Sequence, residues 1–259
     1  MDEIENELLN AEFSVIGQIT SASNVALLLA NTSTQNSLKA IYKPKSGIRE
    51  LWDFPNNDLV EREYASYLLS KQSGLNLVPA TVIREILDFG EGMVQKWVDD
   101  SEVKSVGIFK HDLVPAEYLT VLEANDGQAN LVKVAVEDSP WLDSLTIFDA
   151  VINNSDRKGS HILTDPAGEK WAIDHGVTWH LDNKLRTVLW AKAGEELSAS
   201  ALLTVGKIES GLSQSAELLR QYLSKAEIEQ AANRLSQIAA TGMFPLPQGD
   251  WPAIPWPVF

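Results

Sequence analysis

The 259-residue chain contains no cysteine. That excludes a disulfide framework and every thiolate metal site. No apolar run approaches the roughly 18 residues that a membrane-spanning helix needs. Cations are scarce: 21 Lys and Arg stand against 36 Asp and Glu, a formal net charge of −15. Nucleic-acid binding requires clustered Lys and Arg to neutralise phosphate, so nucleic acid is not an expected partner. The same balance argues against stable association with an anionic membrane surface. The opening Met1-Asp-Glu-Ile-Glu-Asn-Glu7 has neither the basic nor the apolar region of a signal peptide. Together these absences predict a soluble cytoplasmic protein.

What is present is an ordinary globular composition, 44% hydrophobic, enough to bury a sizeable core. Strand-like segments run from Phe13, through Val25–Ala30, to Leu38–Lys43, where Pro44 removes a ladder donor. Leu59 to Ser73 repeats apolar residues at helical spacing and meets Gly74 as a C-cap. Ala80–Glu85 and Gly92–Val98 read as two more strands. Asp99-Asp-Ser-Glu102 breaks the apolar pattern and sets a boundary, giving lobes at 1–98 and 99–259. The second lobe reads as mainly helical. Helices are expected over Pro115–Ala124, Pro140–Asn153, Leu202–Leu212 and Ser215–Leu223. Another opens with the capping box Ser224-Lys-Ala-Glu227. The tail holds Pro245, Pro247, Pro252, Pro255 and Pro257 and cannot be helical. Its Trp251 and Trp256 predict that it packs on the domain.

The chemistry is concentrated between Asp149 and Gly176. An apolar helical run gives way to Asn153-Asn-Ser-Asp156-Arg-Lys158-Gly-Ser-His161, then a short strand, then Trp171-Ala-Ile-Asp174-His175-Gly176. This order can place one carboxylate beside a hydroxyl nucleophile and another on Mg²⁺. A strand-rich first half, a helix after the third strand and a helical second half is the element order of an α+β, bilobal, protein-kinase-like fold. The same residues admit another reading. Asp156, His161, Asp174, His175 and His180 could form a His/carboxylate metal cluster for hydrolysis, although no H-x-H or H-E-x-x-H pair exists.

Asp156-Arg-Lys-Gly-Ser-His161 followed by Ile173-Asp-His-Gly176 resembles the catalytic and metal-binding loops of atypical kinases, the phosphatidylinositol 3-/4-kinase-like and HipA-like group. The chain is similar, over nearly its whole length, to a bacterial, largely actinobacterial, family known as phosphatidylinositol 3-/4-kinase-like. Lys43-Pro44, Leu51-Trp-Asp-Phe-Pro55, Arg62-Glu63 and the Asn-x-x-Asp-Arg-Lys loop carry that likeness. It implies a phosphotransferase using ATP and Mg²⁺ (or Mn²⁺). Asp156 would orient the attacking hydroxyl or accept its proton, and Lys158 would stabilise the transferring phosphoryl group. Asp174 would ligate the metal. Lys43 would contact the phosphates, with Glu63 as its helix partner; Glu61 lies about 200° away on an ideal helix.

His161 departs from the usual pattern, standing where many kinases place an Asn metal ligand. Imidazole suits Mn²⁺ or Zn²⁺ better than Mg²⁺. The residue is either a second ligand or a hydrogen-bond partner of Asp156 or a phosphate. The nucleotide loop, Gly17-Gln-Ile-Thr-Ser-Ala-Ser-Asn24, lacks G-x-G-x-x-G. Ser21, Ser23 and Asn24 are its candidate phosphate contacts. Gln95 falls where an adenine edge would meet the hinge. The expected partners are a nucleotide and a hydroxyl acceptor, protein or small molecule. Two other outcomes keep this fold: a nucleotide-binding pseudokinase, and an enzyme that transfers AMP.

Overall fold

The computed structural model describes residues 2–20, 24–32, 38–86, 89–248 and 251–259. The candidate contacts Ser21 and Ser23 lie outside the described residues.

Asp2 and Glu5 close a capping box at the start of α1 (Glu3–Asn10). Five strands follow in one antiparallel sheet: β1 (Phe13–Gln18), β2 (Leu27–Asn31), β3 (Lys39–Pro44), β4 (Thr81–Glu85) and β5 (Glu91–Lys96). Their spatial order is β1-β2-β3-β5-β4, so β3, which carries Lys43, is the central strand. Leu8, Phe13, Leu27, Leu29, Tyr42, Val82 and Val94 form the core under this sheet. Gly92 is required opposite Pro44: a Cβ there would come within 2.5 Å of the Lys43 carbonyl oxygen.

Helix α2 (Leu59–Gln72) links β3 to β4. It is buried almost all round, and its Ala65, Tyr67, Leu68 and Leu69 belong to the larger core built by the later helices. The helix that carries Glu63 is therefore anchored on the second half of the chain, while the strand that carries Lys43 belongs to the first sheet.

Beyond residue 99 the chain is not mainly helical at once. Residues 106–137 form a second antiparallel sheet of β6 (Val106–Lys110), β7 (Tyr118–Asn125) and β8 (Leu131–Glu137), in the order β6-β8-β7. The helix expected over Pro115–Ala124 is strand β7. Its residues are half-buried on both faces, which blurs the period-2 signal. A bulge between Thr120 and Leu122 breaks the alternation further. Asp126 Oδ1 accepts from the Gln128 and Asn130 amides and closes the β7–β8 turn.

Helix α3 (Pro140–Ile152) starts on the Ser139 N-cap with Pro140 in its first turn and ends at Asn153 in the left-handed region, φ 57°. The hairpin of β9 (Ile162–Thr164) and β10 (Lys170–Ala172) follows. The two helices expected over 202–223 are one, α4 (Ala199–Leu219). Gly211 lies inside it because a Cβ there would press to 2.8 Å on Ser73 at the end of α2. Helix α5 (Lys225–Thr241) carries the expected Ser224/Glu227 capping box. The proline-rich tail is non-helical and packs back through its main chain. Ala253 O accepts from the Thr187 amide and from Trp190 Nε1, and Val258 O accepts from the Gly159 amide. Trp256 stays exposed. Among the described residues, no helix is long and apolar enough to cross a membrane.

Candidate active site

The left-handed Asn153 turns the chain out of α3, and Asn154 fixes the loop that follows. Its Nδ2 donates to Asp149 Oδ1 at 3.1 Å, and its Oδ1 accepts from the Asp156 amide at 3.0 Å. Ser155 donates both its amide and its hydroxyl to Val177 O, tying this loop to the segment after Asp174. Arg157 is fully buried. Its Nε and Nη2 hold the Asp149 carboxylate at 2.7 and 3.0 Å, and its Nη1 donates to Ile173 O at 2.6 Å. One guanidinium thus fixes the loop before Asp156 and the residue before Asp174 in a single geometry.

Held this way, Asp156 faces the cleft. Its Oδ2 lies 3.3 Å from Lys158 Nζ and its Oδ1 lies 3.3 Å from Arg186 Nη2. Asp174 follows β10 with φ 62°, a conformation that costs a non-glycine residue energy and aims its side chain away from the strand. Lys43 Nζ reaches Asp174 Oδ1 at 2.9 Å and Glu63 Oε1 at 2.6 Å. Glu63 Oε2 accepts in turn from the His175 amide at 2.8 Å. One ammonium joins the sheet, α2 and the post-β10 segment.

The charges explain each other. Burial alone would lower the Lys43 pKa, but Asp174 and Glu63 outweigh it and hold the ammonium above its usual range. The Lys43 charge holds Asp174 well below the usual carboxylate range, against the opposing effect of desolvation. Desolvation raises Glu63, and Lys43 offsets that only in part. Lys45, the competing lysine, pairs with Glu61 and Glu91, and Lys39 with Asp99, so the Lys43–Glu63 pairing is distinct.

His161 Nε2 sits 3.4 Å from Asp174 Oδ2. Burial pushes its pKa down, opposed by the charge of Asp174, so the ring is neutral near pH 7. Its partner is therefore Asp174 and not Asp156, and its Nδ1 is buried with no hydrogen-bond partner. His175 points away, buried against Arg157 Nη2 at 2.7 Å and edge-on to Phe148. His180 Nδ1 accepts from the Asp182 amide. The five residues of the hydrolase reading are therefore not gathered. Among the described residues no group of three or more acids and histidines could hold a metal ion.

A cleft of about 420 Å³ opens on Lys43, Glu63, Asp156 and Asp174. Asn24 also lines it, with Oδ1 accepting from the Arg49 amide at 2.8 Å. Gln95 does not. It is buried on β5, and its Nε2 donates to Thr81 Oγ1 at 2.9 Å. The opposite wall went unread in the sequence. Lys184 Nζ pairs with Asp53 Oδ2 at 2.9 Å and lies between the rings of Trp52 and Trp251, 4.9 and 4.7 Å from their centroids. The segment Leu51–Pro55 was singled out without a role; Asp53 and its neighbouring aromatics supply one. Nothing in the sequence marked Lys184 or Arg186.

No family model matches the sequence. The chain is 40% identical over 269 residues to the protein Rv2133c of Mycobacterium tuberculosis (strain ATCC 25618 / H37Rv), across all of this chain and 96% of that protein. Among solved structures, the Helicobacter pylori proinflammatory kinase CtkA aligns with a TM-score of 0.50 at 11% identity. That match covers 92% of this chain and 94% of that one. HipA, from a HipA–HipB–operator DNA complex of Shewanella oneidensis MR-1, aligns with a TM-score of 0.37 at 12% identity, over 88% of this chain and 65% of that one. The α+β architecture is thus kinase-like, and by sequence the chain belongs to the same family as mycobacterial Rv2133c.

Proposed function

We propose that the protein is an ATP- and divalent-metal-dependent phosphotransferase acting on a hydroxyl of a protein or small-molecule acceptor. One observation carries this reading: Lys43 bridges Glu63 and Asp174 on a cleft that Asp156 also faces. Phosphoryl transfer asks a protein mainly to position groups and neutralise charge. A lysine fixed between two carboxylates, beside a third on a separately pinned loop, is suited to that task.

Asp174, with neutral His161 beside it, would hold Mg²⁺ or Mn²⁺. One carboxylate and one imidazole make an incomplete donor set, of the kind that nucleotide phosphates complete. The bound metal would offset phosphate charge. Lys43 binds and orients the phosphates. Asp156 accepts the acceptor hydroxyl's hydrogen bond and takes its proton as the new O–P bond forms and the β–γ bridging bond breaks. Lys158, 3.3 Å from Asp156 Oδ2, would stabilise the transferring group. Arg157 keeps the loop in place without touching it.

The likeness to lipid-kinase sequences extends in this reading to the reaction and not to the lipid, because a chain of net charge −15 is badly suited to an anionic phosphoinositide surface. A second reading, nucleotide binding without transfer, is favoured by His161 at the usual Asn position. Calorimetric titration with ATP and Mg²⁺ or Mn²⁺, followed by mass spectrometry of candidate acceptors, tests both. A phosphate adduct supports the proposal. An AMP adduct keeps the fold and replaces the reaction. Tight binding with no adduct supports the second reading, and absence of nucleotide binding overturns both.

A further inference from the structure

Three arginines are buried among the described residues, and two of them are neutralised. Arg62 pairs with Asp58 and Glu227, and Arg157 with Asp149. Arg234, on α5, is 7% exposed and makes no ion pair with any described residue. Its Nε donates to Asn183 Oδ1 at 3.2 Å, and its Nη2 to the carbonyls of His180 and Leu181. Its Nη1 is buried with no partner. Burial pulls its pKa down to about 10, opposed by the charge of Asp182. A buried cation without an ion-pair partner is costly to the fold.

Arg234 also lines a second cavity, of about 430 Å³, between α5, the end of α3 and the segment after Gly242. Ligand pockets typically span roughly 300–1,000 Å³ with mostly apolar walls and a few polar groups. Trp190, Ile238, Phe244 and Leu246 supply apolar wall here. The polar groups of the wall are largely committed. Asn153 bonds the carbonyls of His180 and Asp182 and the Lys184 amide. Asn183 bonds Arg234 and Gln248. Trp190 Nε1 donates to Ala253 O. Among these groups Arg234 Nη1 is the charged donor that is buried without a partner.

We propose that this cavity binds a small monocarboxylate with an apolar body, its carboxylate paired with Arg234. With Nε and Nη2 committed, Nη1 supplies the charge-assisted N–H donor for a carboxylate, and the pair removes the uncompensated charge. A monoanion is specified because one arginine in an apolar pocket would leave a dianionic phosphate half-neutralised. Nη1 has no exposed surface, so pairing requires the guanidinium to shift Nη1 to the cavity wall.

The test uses the full chain with indole-3-acetate, phenylacetate and octanoate as probes. Indole-3-acetamide serves as the neutral control and inorganic phosphate as the anionic one. Calorimetry and thermal shift are the readouts. Binding of at least one acid, about tenfold or more tighter than its amide and lost in Arg234→Met, supports the proposal. Arg234→Met removes a buried charge and is expected to fold. Thr241→Trp, at an exposed rim position, gives a second variant that blocks the cavity with Arg234 intact; it too should lose binding. Equal affinity for acid and amide, unchanged binding in Arg234→Met or Thr241→Trp, phosphate binding in preference to the acids, or no acid binding at millimolar concentration overturns it.

Discussion

Arg157 grips both carboxylate oxygens of Asp149 through Nε and Nη2, and solvent reaches neither side chain. The pair stands at the root of the loop that presents Asp156. Asp149→Asn keeps the shape and leaves the Arg157 charge buried without its partner. Removing one member of a buried pair costs about 3–5 kcal/mol. Urea denaturation of the variant should show a midpoint lowered accordingly, and any transfer activity should fall with it because the loop loses its anchor.

Asp156 and Asp174 should fail differently. Asp156→Ala removes the group proposed to take the proton, so transfer should drop by roughly 10²–10⁴ while nucleotide affinity is retained. Asp174→Ala removes a partner of Lys43 and the carboxylate expected on the metal. Metal-dependent nucleotide binding should weaken by about tenfold or more, and transfer should be lost with it. Calorimetry beside single-turnover kinetics separates the two. Full activity in Asp156→Ala would remove the catalytic assignment.

Lys43→Met isolates Glu63, which is 2% exposed. Desolvation already raises the Glu63 carboxyl, and Lys43 is what opposes it. Without the lysine, the folded chain takes up a proton at Glu63 at higher pH than the unfolded chain does. The folded form then binds more protons at this site, so Glu63 adds stability to the variant, relative to wild type, as pH falls towards the ordinary glutamate range. The stability gap between variant and wild type should narrow between about pH 8 and about pH 5, as read by denaturation at fixed ionic strength.

The histidines predict the opposite slope in the wild-type protein. His175 and His161 are both held below their ordinary pKa of 6.5, chiefly by burial, with Arg157 adding to the effect on His175. Below about pH 6.5 the unfolded chain takes up protons that the folded chain refuses. Stability should therefore fall on acidification, by at most about 1.4 kcal/mol per pH unit for each histidine. His175→Gln should reduce the slope by about one histidine's share, measured between about pH 6.5 and pH 5.

The candidate site segment was legible because its chemistry is local: Asp156, Lys158, His161 and Asp174 lie within nineteen positions. Lys43 and Glu63 were legible through helix phase and the preceding strand. Asp53, Lys184 and Trp251 were not, because their meeting depends on how the loop after β3 and the tail fold over the cleft. The β7 strand was misread for a related reason. Its residues are half-buried on both faces, and its identity comes from pairing with β8. Arg157 was visible in the motif, but its burial was not, since a charged residue between two site residues reads as part of the site until its partner Asp149 is seen.

Lys184, held between the indoles of Trp52 and Trp251, has an optical consequence. Both rings line the cleft, and Trp52 is 83% exposed. A ligand that reaches this wall changes the polarity around at least one indole. The emission of the unlabelled protein therefore carries a built-in signal of occupancy, and its dependence on Trp52 can be read by difference against Trp52→Phe.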